Sequence, residues 1–262
     1  MAEILKREKN KEIEILTLND PGKLNALSEK MLSELQKALN QIALDKKTKA
    51  VIIRANGKAF CAGHDLKQMQ QARQAEDGGN SYFNWLFKTC GQLMMTISKL
   101  PQPVIAEVNG IATAAGCQLV ATCDLAVATS KATFGVNGVN IGLFCSTPMV
   151  ALSRNIGRKK TLEMLLTGDF ISAEEAYQLG LINKVLPEEK IKLGSIELAS
   201  RIATKLSRAV KIGKETFYKQ NEMGIEEAYN FTAEVMAENM MFEDTNEGIS
   251  AFIEKRQPIW EN

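Results

Sequence analysis

Apolar and polar positions alternate along Glu12-Ile13-Glu14-Ile15-Leu16-Thr17-Leu18 closely enough to predict a strand, and Asn19-Asp20-Pro21-Gly22 then reads as a turn. The period changes next. Ser28 stands where an N-cap belongs, Met31 replaces the Glu or Gln of a full capping box, and Met31, Leu32, Leu35, Leu39 and Ile42 make one helical stripe. Short apolar runs at Val51 to Arg54, Val104 to Val108 and Asp124 to Ala128 read as further strands. Tyr82 through Leu100 carries a helical face of Phe83, Leu86, Phe87, Leu93 and Met94, which is core packing. Between them, Gln68 to Asn80 is polar and ends in Glu76-Asp77-Gly78-Gly79-Asn80, the composition of a mobile loop or a frayed helix end. Past Leu186-Pro187 the pattern turns helical, most clearly over Ile196 to Leu206 and Ile225 to Phe242. Strands alternating with helices predict an α/β core over residues 1–186, followed by a helical subdomain over residues 187–262. No internal sequence repeat is visible.

Two glycine-containing turns interrupt this pattern. Phe60-Cys61-Ala62-Gly63-His64-Asp65-Leu66-Lys67 follows the run Ala50-Val51-Ile52-Ile53, and Asn109-Gly110-Ile111-Ala112-Thr113-Ala114-Ala115-Gly116-Cys117-Gln118 follows Pro103-Val104-Ile105-Ala106. In each, a β-branched strand runs into small residues and then into helical spacing, which leaves unpaired backbone N–H groups at a turn or helix start. Glycine in such turns serves tight connections in any α/β sheet. Two converging amides also make an oxyanion hole, able to stabilise the negative oxygen of a thioester enolate without side-chain charge.

At these residues the chain resembles the crotonase superfamily, the enoyl-CoA hydratase/isomerase family. The resemblance continues through Pro21-Gly22-Lys23-Leu24-Asn25-Ala26-Leu27, Leu166-Thr167-Gly168-Asp169, Ala173-Glu174-Glu175-Ala176 and Gly180-Leu181-Ile182-Asn183-Lys184-Val185, so it spans nearly the whole chain. It implies a spiral of repeated ββα units, assembly as a homotrimer or homohexamer, an acyl-CoA thioester as ligand, and oxyanion donors at the backbone N–H groups of His64 and Ala115. It places Lys23, Leu24, Ala26, Ala62, Asp65, Leu66 and Lys67 around the coenzyme A moiety. Lys255, with Arg256, is implied to reach a CoA phosphate across a subunit contact; plain surface charge is the competing reading. No separate cofactor is implied, since coenzyme A arrives as part of the substrate.

The resemblance breaks at the chemistry. Hydratases of this family use two glutamates, and the matching positions here hold Gln118 and Gly138. Glutamine exchanges no proton near neutral pH and glycine has no side chain, so two-carboxylate activation of water is absent from these positions. Three readings stay open: a CoA-ester enzyme with hydration or double-bond migration as its default reaction, an acyl-CoA-binding or regulatory protein, and different chemistry such as thioester hydrolysis or decarboxylation. In the last, Glu107 or Asp65 is a candidate displaced carboxylate. Ser146, in Cys145-Ser146-Thr147-Pro148, lies where some relatives place a carboxylate near the acyl group. It faces a substrate, or it belongs to a helix cap beside a buried thiol.

His64 is the sole histidine, and no G-x-S-x-G elbow accompanies it, so a nucleophilic triad and a metal site are both unsupported. Its backbone N–H is the primary candidate function and imidazole proton transfer the alternative. The 32 basic and 31 acidic residues balance to a formal charge of +1, which offers no long-range field for nucleic acid. Five scattered cysteines (Cys61, Cys90, Cys117, Cys123 and Cys145) read as reduced, buried thiols. The acidic start, Met1-Ala2-Glu3-Ile4-Leu5-Lys6-Arg7-Glu8, matches neither a transit peptide nor a secretory signal, and no run approaches the roughly 18 apolar residues of a membrane span. A cytoplasmic protein is therefore expected.

Overall fold

The computed structural model describes residues 3–260. A hairpin opens the chain: β1 (Leu5–Asn10) pairs antiparallel with β2 (Ile13–Leu18). The alternation reading misses β1 because it is an edge strand whose Lys, Arg and Glu side chains are mostly exposed, as edges protected against aggregation are. Helix α1 (Glu29–Leu44) starts where Ser28 Oγ accepts from the Met31 amide at 3.3 Å, and it buries the whole predicted stripe. The partial capping box suffices.

From here the chain advances by a repeated step. Strand β3 (Ala50–Ala55) joins the hairpin's sheet, the three-residue β4 (Ala59–Cys61) starts a second sheet, and α2 (Leu66–Ala72) and α3 (Asn80–Lys99) follow. Then come β5 (Val104–Val108), β6 (Ile111–Thr113) and α4 (Ala115–Thr122), and after them β7 (Leu125–Thr129), β8 (Thr133–Gly135) and α5 (Ser146–Leu152). Helix α6 (Arg158–Thr167), β9 (Phe170–Ser172), α7 (Ala173–Gln178) and β10 (Lys184–Leu186) complete both sheets. The larger sheet runs β1-β2-β3-β5-β7-β10 and the smaller β4-β6-β8-β9. Each ββα turn thus adds one parallel strand to each sheet, which is the expected α/β spiral.

Both faces of the large sheet are covered. On β5, Val104, Ala106 and Val108 enter the main core, whereas Ile105 joins a smaller cluster with Ile13, Ile15, Ala50, Ile52 and Ala199. Ala199 belongs to α8 (Ile191–Ala203), which lies across β2, β3, β5 and β7. Three more helices end the chain: α9 (Ser207–Gln220), α10 (Ile225–Met240) and α11 (Glu243–Ile253). Lys214 roots α9 in the core. Its Nζ donates to Ile97 O at 2.9 Å, Gln102 O at 3.1 Å and Asp124 Oδ2 at 2.7 Å, while the Tyr218 hydroxyl donates to Asp124 Oδ1 at 2.9 Å. Beyond that root α9 and α10 bury no residue and α11 buries only Ala251. Among the described residues, no helix is long and apolar enough to cross a membrane.

Candidate functional site

Topology explains why the two turns meet. Strands β4 and β6 are parallel neighbours, with Cys61 opposite Ala112, so the segments leaving their carboxyl ends start side by side. Each motif therefore holds its own short strand in the small sheet, a strand too brief to register as a period in the sequence. A third segment joins them after β8: Ala114 N donates to Gly135 O at 2.9 Å and Thr113 Oγ1 to Asn137 Oδ1 at 2.6 Å. The carboxyl ends of parallel strands are where open α/β sheets gather their ligand sites.

Contact between the turns is close enough to dictate residue type. At Gly63, with φ of +87°, a Cβ would lie 3.0 Å from Ala114 Cβ and 3.4 Å from Ala115 N; at Gly116 it would lie 2.1 Å from Cys61 O. Only glycine lets the two backbones touch. Ala114, at φ 50° and ψ −120°, carries left-handed strain that ordinarily costs about 1–3 kcal/mol, and it directly precedes α4. Ala115 is the first residue of that helix, so its N–H lies ahead of the ladder that begins with Gln118 N donating to Ala114 O at 3.0 Å. Neither the His64 nor the Ala115 amide donates to a backbone carbonyl among the described residues.

The segment around Pro21 to Leu27 folds against the first turn. Leu27 N donates to Gly63 O at 2.7 Å and Ala62 N to Leu24 O at 3.1 Å. Asp65 caps α2, its Oδ1 accepting from Lys67 N at 3.0 Å and Gln68 N at 3.3 Å, while Oδ2 takes Lys23 Nζ at 3.1 Å. Burial disfavours ionisation of Asp65, but the Lys23 ammonium and the Gln68 and Lys67 amides outweigh it and hold the carboxyl below the usual range. Ala26 is buried at this junction, whereas Leu66 and Lys67 are exposed at its rim. Lys23, Leu24, Ala26, Ala62, Asp65, Leu66 and Lys67 thus share one place. Asn25 is a keystone that the motif reading overlooks: fully buried at φ 53°, it donates to Asn56 O and Ala59 O, both at 2.8 Å, and accepts from Asp20 N at 2.9 Å. Asparagine's tolerance of left-handed backbone is the signal that could have found it.

Lys255 and Arg256 sit at the far end of α11, without an ion pair or hydrogen bond to this cluster among the described residues. Arg256 is committed to Glu247 and Glu254, and Lys255 is exposed.

The positions that carry the resemblance's chemistry are also settled locally. Gln118 is only 4% exposed and its Oε1 has no hydrogen-bond partner. Gly138 lacks more than a side chain: a Cβ there would stand 2.2 Å from Leu143 O and 2.8 Å from Cys145 Sγ, because Leu143 N folds back onto Gly138 O at 3.0 Å. Ser146 is exposed and its Oγ reaches only Phe144 O, at 3.4 Å. Cys145, not Ser146, occupies the cap position of α5, and it makes no side-chain cap; burial pushes its thiol up. Glu107 is removed as a displaced carboxylate. It accepts from Ser195 Oγ of α8 at 2.5 Å, on the sheet face shared with Ile105 and away from the main core.

The His64 ring packs edge-on against Phe87 of α3, with centroids 5.6 Å apart. Its Nδ1 faces Leu27 O at 3.4 Å, and its Nε2 is buried without a partner. Desolvation lowers its pKa below the ordinary 6.5, against the opposing pull of the Leu27 carbonyl, so the ring is neutral at pH 7. The polar stretch after it is better tied than its composition suggests. Residues through Ala72 are helical, and Asp77 accepts from Gly79 N at 2.9 Å and Ser81 N at 2.8 Å, starting α3 two residues earlier than expected. Arg73 covers the Phe83 ring at 5.4 Å.

Comparison with known proteins agrees with this architecture. The family model described as Enoyl-CoA hydratase/isomerase matches residues 8–262. Enoyl-CoA hydratase domain-containing protein 3, mitochondrial, from Xenopus laevis is 47% identical over 245 residues, covering 94% of this chain and 82% of that protein. Its Homo sapiens counterpart is also 47% identical, covering 94% and 79%. A crystal structure of enoyl-CoA hydratase from Mycobacterium smegmatis superposes with a TM-score of 0.95 at 50% identity, covering all of both chains. The relatives' names correct the cytoplasmic expectation, pointing to mitochondria instead. That expectation leaned on the composition of the first residues, and from Leu5 onward these build strand β1. With its length matched from residue 8 onward, the chain belongs to the enoyl-CoA hydratase/isomerase family.

Proposed function

We propose that the protein binds an acyl-CoA thioester with its carbonyl oxygen between the His64 and Ala115 N–H groups, and that this pair stabilises the enolate. The convergence of the two turns, enforced by glycine at 63 and 116, is the observation that carries the reading. Lys23, Leu24, Ala26, Ala62, Asp65, Leu66 and Lys67 border the CoA moiety, with Ser146 near the acyl end. The Lys23–Asp65 pair shapes this border more than it supplies free charge, since each neutralises the other. No resident cofactor is needed, because the thioester brings its own activation. Acetyl-CoA should bind more tightly than CoA in a calorimetric titration, as only the thioester gives both amides an acceptor. Equal affinities would remove the oxyanion reading.

Gln118 and Gly138 favour double-bond migration or simple retention of the thioester over ordinary hydration. A purely acyl-CoA-binding role is the second reading, and the buried, proton-inert Gln118 is what favours it.

Residues 187–262 would serve assembly, rooted through α8 and Lys214. The supporting observation is an array of exposed apolar side chains on α9 to α11, among them Phe217, Ile225, Tyr229, Met236, Phe252 and Ile253. Lys255 then meets a CoA phosphate of a neighbouring copy. Light scattering should give the mass of a trimer or a multiple of it; a monomer at micromolar concentration would dismiss both the assembly and that role of Lys255.

A further inference from the structure

Four buried side-chain polar atoms among the described residues lack a hydrogen-bond partner, and three of them, His64 Nε2, Gln118 Oε1 and Tyr82 Oη, come from the first turn, α4 and α3. The fourth, Gln102 Oε1, lies elsewhere, behind Ile42. A buried unpaired polar atom is costly, so three on the elements around one pair of turns call for a chemical reason.

We infer that His64 Nε2 is the proton acceptor at the α-carbon of the bound thioester, so that one residue supplies both an oxyanion donor and the base. The inference rests on the thioester reading above. Leu27 O faces Nδ1, which assigns the ring proton to that nitrogen and leaves the lone pair on Nε2. Phe87 fixes the ring plane, and the carbonyl held by the His64 amide is one bond from the α-carbon. The other two orphans cannot substitute. An amide does not titrate, and Tyr82 is pushed up to about 12, first by burial and then by Glu29.

In the step, the α-carbon–hydrogen bond breaks and an Nε2–H bond forms. The electron pair becomes the enolate, with its negative charge on the thioester oxygen between the two amides. The imidazolium then returns the proton to the α-carbon, or delivers it to the γ-carbon of an enoyl chain, which is one-base double-bond migration. The titratable and charged side chains on the surrounding elements include Cys61 and Asp65 on the first turn, Lys23 before Leu27, Glu29 on α1, Tyr82 and Cys90 on α3, and Cys117 on α4, while Lys67 on α2 and Lys88 and Lys99 on α3 are exposed. Asp65 and Lys23 satisfy each other, and burial pushes the Cys61, Cys90 and Cys117 thiols up to about 12.

The test is exchange of the α-protons of butyryl-CoA in D₂O, followed by NMR. The wild-type protein should exchange them, at a rate that rises with pH through a midpoint below 6.5 and then stays flat. His64→Gln keeps the backbone amide and should keep butyryl-CoA affinity while exchange falls by about 10²-fold or more. Wild-type exchange in His64→Gln would overturn the inference. If that variant does not fold, the wild-type profile decides: a midpoint near the carboxylate value of about 4 means that an acid side chain is the base. Absence of exchange in wild-type protein that still prefers butyryl-CoA to CoA sinks the His64 role alone, whereas equal binding of the two sinks the thioester reading beneath it.

Discussion

Crotonyl-CoA mixed with this protein is expected to keep its conjugated enoyl absorbance, or to lose it far more slowly than the usual enzyme range of about 1 to 10³ turnovers per second. Hydration needs a base that takes a proton from water as it attacks the β-carbon and an acid that protonates the α-carbon. Gln118 can hold a water but cannot accept its proton, and Gly138 offers nothing to donate. Loss of an acid or base group commonly costs about 10² to 10⁴ in rate, while the proposed thioester polarisation by the amide pair would be untouched. Hydration within the ordinary range would mean that another side chain performs the proton transfers.

Restoring a glutamate at position 138 should destabilise the protein and fail to restore hydration. The obstacle is backbone: a Cβ at 138 would overlap the Leu143 carbonyl at 2.2 Å and the Cys145 sulfur at 2.8 Å, so the Gly138-to-Leu143 turn must move before any carboxylate can point inward. Overpacking of this kind costs about 1–3 kcal/mol, and each kcal/mol lowers Tm by roughly 2–4 °C in chains near this size. Gly138→Glu should therefore melt several degrees below wild type. Gln118→Glu is close in shape and should fold, its new carboxyl raised by burial. Thermal unfolding by circular dichroism compares them, and an unshifted Tm for Gly138→Glu would show that the turn yields more easily than its contacts imply.

The sequence carried the periodic elements well. The α1 stripe, β5 and the start of α10 at Ile225 stand where the hydrophobic pattern puts them. What escaped was what lacks a period. Strands β4, β6 and β8 have three residues each, too few to alternate visibly, yet they order the small sheet and bring the turns together. The ββα repetition left no trace because it is conserved in path and not in residue type. Glycine at 63 and 116 was visible as punctuation, but the partner each one makes room for lies some fifty residues away along the chain and emerges only from strand pairing. Glu107 was unreadable for a different reason: a single charge in a β-branched strand does not announce which face it takes, and here that face belongs to Ser195. The polar stretch after Gln68 misled because Asp77 and Arg73 satisfy local backbone and ring partners that composition alone cannot reveal.

In the proposed complex two amides, at His64 and Ala115, receive a thioester oxygen. Calorimetry with a matched pair of ligands isolates it: butyryl-CoA, and the S-butyl thioether of CoA, which has the same chain length but no carbonyl. Contacts to the chain and to coenzyme A are then common to both, and only the carbonyl differs. Two hydrogen bonds of ordinary net strength, about 0.5–1.5 kcal/mol each, correspond to roughly a 5- to 150-fold preference for the thioester. A preference in that range is expected, and it should be retained in His64→Gln because the backbone donor survives. Equal affinities for thioester and thioether would contradict it.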